Sequence, residues 1–139
     1  MSYLLDTNAI SEPGRPRPDE GFVDWFDQID EAAIHLSVVT LGELRHGLAL
    51  LPNGPRKRHL EQLHLAIMRR HETQILPVDL GVALTWGELA ARHRRQGRRP
   101  SVSDELIAAT ALVHNLTVVT RNVSDFEPSG CRLISPWSG

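Results

Sequence analysis

The chain predicts an α/β fold with a mostly parallel central sheet of four to five strands, flanked by helices in three layers. Three observations carry that prediction. Short apolar segments rich in β-branched and aliphatic residues, such as "YLLD", "AIHLS" and "LTVVT", are separated by longer segments of helical periodicity. Those short segments are apolar without alternation, as strands covered on both faces are. With 139 residues, 41% of them hydrophobic, residues 1–139 read as a single domain with one core.

Taken in order, "YLLD" is a buried strand that ends in a carboxylate, Asp6. "EPGRPRPDE" is a Pro- and Gly-rich loop. Asp19 is placed to cap a helix in "EGFVDWFDQID", where Phe22, Phe26 and Ile29 share a face. "AIHLS" is the second strand, and Thr40 is expected to begin the helix "TLGELRHGLALL", which Pro52, Asn53 and Gly54 end. Another helix opens at Pro55 and aligns Leu60, Leu63 and Ile67. "QILPVD" is a third strand closed by its proline. Asp79 caps a helix striped by Val82, Trp86, Leu89 and Ala90, with Gly97 near its end. "SDELIAATALVHN" is the clearest helix, with Asn115 just past its C-terminus. "LTVVT" and an edge strand "CRLIS" complete the sheet.

Composition narrows the function. Formal net charge is -2, so any affinity for nucleic acid must come from a local patch. Acids crowd into residues 19–31 and arginines into "RHRRQGRR" at 92–99, while the single lysine is Lys57. No apolar run approaches the ~20 residues of a membrane span. The opening "MSYLLD" has no basic n-region or signal-like apolar run, and the lone Cys131 cannot form an intrachain disulfide. A cytoplasmic setting without membrane attachment is expected.

In an open parallel sheet the ligand crevice lies outside the carboxyl ends of the strands. Asp6, Glu43, Asp104 and the pair Asn122 and Asp125 in "RNVSDF" all map there. Each alone has a local explanation. Glu43 stands at capping-box spacing from Thr40, Asp104 favours a helix macrodipole, and Asp125 suits a turn. Asp6 is the exception, because a turn of this kind needs no acid. Together the carboxylates would repel: at ~4 to 5 Å, one pair costs about 3 to 4 kcal/mol at an effective dielectric near 20. Retained protons or a divalent cation would offset this, and an all-oxygen set of Asp, Glu and Asn suits Mg²⁺ or Mn²⁺ better than zinc. The seven histidines show no zinc spacing, and neither a phosphate loop nor a nucleophile elbow is present.

"LLDTNAIS", "SVVTLGELRHG", "DELIAATALVHNLTVVTRNVSDF" and the closing "ISPW", in that order, resemble a PIN-domain protein, specifically a VapC-type toxin of a type II toxin–antitoxin system. The resemblance implies a PIN-like, Rossmann-like fold and a Mg²⁺-dependent endoribonuclease held inactive by a cognate VapB-like antitoxin. It also implies a homodimer or a higher toxin–antitoxin assembly. Carried onto this sequence, the family's acidic quartet falls on Asp6, Glu43, Asp104 and a fourth group that is either Asn122 or Asp125. Thr7, Asn8 and Thr120 would orient those carboxylates. Arg121, with Arg92, Arg95 and Arg99 and their neighbours Arg94 and Arg98, could meet RNA phosphates. Glu105, where relatives often carry a small or neutral residue, is expected to face outward, about 100° round the helix from Asp104.

Two other folds with acids at strand ends fit poorly. A receiver-like phosphoacceptor needs an acidic pair and a late lysine, and a HAD-like phosphatase needs a second acid two residues after Asp6; neither is present. A PIN domain that only binds nucleic acid or protein is the remaining alternative.

Overall fold

The computed structural model describes residues 1–139. Its five strands are β1 (Tyr3–Leu5), β2 (Ile34–Ser37), β3 (Ile75–Leu76), β4 (Thr117–Val119) and β5 (Arg132–Ile134). They pair in parallel throughout, in the order β3-β2-β1-β4-β5. Tyr3 stands opposite Ile34 on one side and Thr117 on the other, so β1 lies at the centre. The chain leaves β1 in one direction for β2 and β3, then crosses back to build β4 and β5 on the other side. The change of direction falls between β1 and β4, where such a sheet opens a crevice.

Seven helices cover the sheet: α1 (Thr7–Ser11), α2 (Glu20–Gln28), α3 (Val38–Ala49), α4 (Pro55–Arg70), α5 (Leu80–Arg95), α6 (Val102–His114) and α7 (Val123–Phe126). Successive strand residues point to opposite faces, which divides the core in two. Tyr3, Leu5, Ile34, Leu36 and Val119 meet Phe22, Leu44 and Trp137 on one face. Leu4 and Val118 meet Leu89, Ile107, Ala108 and Phe126 on the other. The three-layer α/β fold expected from the unalternating strands is therefore the fold observed.

Local signals placed most boundaries. Asp19 accepts from the Phe22 amide and Asp79 from the Val82 amide, each capping its helix. Asn115 ends α6 in the left-handed conformation, φ 56°. Two boundaries differ from expectation. Thr40 does not begin α3: the cap is Ser37, whose side chain accepts from the Val39 amide, so "SVVT" turns directly from strand into helix. Thr40 lies inside the helix, fully buried, with its hydroxyl unpartnered. Residues 7–11, to which the sequence assigned no element, form the short helix α1, and the Pro- and Gly-rich loop begins with a 3-10 turn over Glu12–Gly14.

Candidate active site

Every segment that carries a candidate acid ends at the same edge of the sheet. Asp6 follows β1 and is buried. One of its oxygens accepts from the Thr7 amide at 2.8 Å, which caps α1, so the acid does serve a local turn. Its other oxygen accepts from the Thr120 hydroxyl, also at 2.8 Å. Thr120 follows β4, and its oxygen in turn accepts from the Asn122 amide at 3.0 Å. One buried hydroxyl thus ties the ends of the two central strands together across the crevice.

Glu43 lies in the second turn of α3, beyond reach of a capping box now that Ser37 is the cap. Its partner is Thr7, whose hydroxyl donates to Glu43 Oε1 at 3.2 Å. Asp104 is in the first turn of α6, where the Ser101 side chain accepts from its amide. Asp125 sits in α7, exposed. Asn8 accepts from the Arg121 amide through its side-chain oxygen, fixing the loop after β4. The three polar residues singled out as orienting groups, Thr7, Asn8 and Thr120, therefore each hold a neighbouring segment of the site.

The acids affect one another as the Coulomb argument requires. The Asp104 carboxyl is pushed up to about 6, first by burial and then by the charge of Asp6, with Asp125 and Glu43 adding to the rise and Ser101 opposing it. Burial also raises Asp6, against hydrogen bonds from Thr120 and Thr7, and Asp125 adds to that rise. Of the two groups open for the fourth corner, Asp125 is the one whose charge acts on both Asp6 and Asp104. The Asn122 side chain caps nothing and is exposed.

The arginines divide. Arg95 and Arg99 are exposed on the run that leads to Ser101 and Asp104. Arg92 donates to the Ser129 carbonyl at 3.0 Å, which gives it a structural bond. Arg121 is exposed, and its charge reaches Glu12 and Asp19.

One expectation is overturned. Glu105 faces inward: it is buried, and its carboxylate lies 2.7 Å from Nδ1 of His93, itself buried in the last turn of α5. The helical step of 100° separates Glu105 from Asp104 as anticipated. What the step meets is the α5–α6 interface, because the two helices pack as a hairpin. A histidine closing one helix and a glutamate opening the next across a short loop was the available signal.

No three Asp, Glu, His or Cys side chains converge closely enough to enclose an ion alone. The donor set is all oxygen, rich in charge and partly open, which fits a hard cation that retains several of its own waters. An apolar cavity of about 260 Å³ under α4, lined by Leu5, Ile10, Phe26, Leu63 and Ile67 among others, contains none of the acids.

The pattern defining the PIN domain matches residues 3–127. The chain is 41% identical to Toxin FitB of Neisseria gonorrhoeae over 135 residues, 96% of this chain and 97% of that protein. It is 36% identical to VapC ribonuclease Y4jK of Sinorhizobium fredii, over 96% of each. It superposes on the crystal structure of FitAcB from Neisseria gonorrhoeae with a TM-score of 0.90, at 40% identity over 99% of each chain. The parallel sheet, the acids along its carboxyl edge and these likenesses agree: the chain belongs to the PIN domain family, in its VapC-type branch.

Proposed function

We propose that this protein is a Mg²⁺-dependent endoribonuclease and the toxin of a type II toxin–antitoxin pair, working in the cytoplasm as a homodimer restrained by a VapB-like antitoxin. What supports the catalytic half is that the charges of Asp6, Glu43 and Asp125, carried by separate segments, all act on Asp104, and that Asp6 closes the central strand where the sheet changes direction. Support for RNA as substrate, and for a toxin's role, comes from similar proteins named VapC ribonuclease and Toxin FitB.

Asp6 and Asp104 would hold the ion, with Glu43 and Asp125 ligating directly or through water and Asn122 adding an uncharged oxygen; Mn²⁺ has the same preferences. A bound Mg²⁺ supplies an activated water and offsets charge developing on a phosphodiester under in-line attack. The residues of the chain do the rest. Thr120 keeps Asp6 from rotating away, and Thr7 does the same for Glu43. Arg95, Arg99 and Arg121 offer exposed guanidinium groups to phosphates, with Arg92 contributing from its anchored position.

The test uses purified, antitoxin-free protein incubated with RNA. Cleavage is expected in Mg²⁺, is abolished by EDTA, and falls by at least a hundredfold in Asp6→Asn and in Asp104→Asn. Equal cleavage in EDTA, or full activity in both variants, overturns the reading and leaves a PIN domain that only binds.

A further inference from the structure

The His93–Glu105 pair takes no direct part in the chemistry above, yet it is the most deeply buried ionisable pair in the molecule. His93 is 1% exposed and Glu105 6% exposed. Their side chains meet at 2.7 Å, and Nε2 of His93, also buried, has no partner. A neutral histidine with its proton on Nδ1 donates to the carboxylate and leaves Nε2 as a bare acceptor. Pairs of this kind are costly to bury and gain little stability over apolar residues of the same volume. A site beside the active crevice calls for another role.

Asp104 precedes Glu105 by one residue in the first turn of α6. Helix ends fray, because their first amides have no intrahelical acceptor. The Asp104 carboxylate is also repelled by the charges of Asp6, Asp125 and Glu43, a repulsion that a loosened turn would relieve. The Ser101 side chain accepts from the Asp104 amide and the Ser101 carbonyl accepts from the Glu105 amide, but Ser101 is exposed. The firm anchor is Glu105, bonded across the hairpin to the end of α5. His93 strengthens the same corner through its backbone: its carbonyl accepts from the amides of Gln96 at 3.1 Å and Arg98 at 2.8 Å. Gly97, at φ +71°, makes that turn possible.

We propose that the buried His93–Glu105 bond is a positioning device for Asp104, locking the rotation of the first turn of α6 so that the Asp104 carboxylate stays in the crevice and binds the metal ion. This rests on the metal-site reading given above. Glu105 and His93 are positioning residues and touch neither ion nor RNA. Partners that orient metal ligands are typically worth 10- to 100-fold in affinity.

Calorimetric titration of Mn²⁺ into the full-length, metal-free protein tests it, with Glu105→Met, Glu105→Gln and Asp104→Asn alongside wild type. Methionine and glutamine both preserve volume and differ in the acceptor offered to His93. Circular dichroism at the titration temperature confirms that each variant is folded. The expected result is Mn²⁺ affinity weakened about tenfold in Glu105→Met, held within about threefold of wild type in Glu105→Gln, and lost in Asp104→Asn. Wild-type affinity in Glu105→Met, with a lowered melting temperature only, overturns the positioning role while leaving the metal site intact. Wild-type affinity in Asp104→Asn overturns the metal site and the positioning role with it.

Discussion

At Asp104 the carboxyl is raised to about 6, against an ordinary value near 4. The folded state therefore holds that proton more tightly than the unfolded chain does, and stability falls as pH rises from about 4 to about 6, then levels off. Asp104→Asn cannot ionise and escapes this loss. In EDTA its melting temperature should exceed that of wild type by on the order of 3 °C at pH 7 and by much less at pH 4, as calorimetry can measure. Added Mg²⁺ should reverse the order at pH 7, since only wild type gains a ligand. Thr120 makes a second case at this scale. Thr120→Val keeps the shape but removes the oxygen shared by Asp6 and the Asn122 amide. Initial rates of RNA cleavage should fall about tenfold in a protein that still folds. The positions of Asp6, Glu43 and Asp104 were legible in the sequence because an acid at a strand end or helix start is conspicuous. Glu105 was not, since one helical step tells its direction and not what lies there.

Among the elements, α5 and α6 could be read almost to the residue, because Asp79 and Asn115 carry their own punctuation, although the Ser101 cap of α6 was not singled out. The start of α3 could not. "SVVT" is rich in β-branched residues and continues the pattern of β2, so Thr40 seemed the first credible cap. Ser37 is the actual cap, and α3 begins directly at the β2 terminus. Stability measurements separate the two assignments. Ser37→Ala should cost about 1 kcal/mol in urea unfolding. Thr40→Val should stabilise by about 1 kcal/mol, because it removes a fully buried hydroxyl without a partner. A cap at Thr40 would give a loss instead. The helix α1 escaped notice for a different reason: its five residues are too few for a periodic signal, and Asp6 holds it from outside.

Across the whole molecule, the last residues are latched to the first loop. Trp137 is buried against Phe22, ring centres 4.7 Å apart, and its indole donates to Glu12 at 2.6 Å. Asp19 accepts from both the amide and the hydroxyl of Ser138. Burial alone would raise Glu12, but the Trp137 indole, the Asp19 amide, Arg15 and Arg121 hold it below the ordinary glutamate value. Its contribution is therefore present above about pH 4.5 and is lost as pH falls through its folded value. Trp137→Ala should cost about 3 to 5 kcal/mol in denaturant unfolding. Glu12→Gln should flatten the acid limb of the stability profile. None of this was legible beforehand: the bond spans 125 positions, and a glutamate within a Pro- and Gly-rich stretch reads as solvated. The parallel sheet, in contrast, followed from strands that alternate with helices, whereas its order, with β1 between β2 and β4, came from the structure.

The proposed metal site is tested most directly by diffraction from crystals soaked in Mn²⁺, measured for its anomalous signal. A single dominant peak between the carboxylates of Asp6 and Asp104, absent from Asp104→Asn crystals, is the predicted result. A fully soaked crystal with no peak at that crevice, or with its peak elsewhere, would contradict the account.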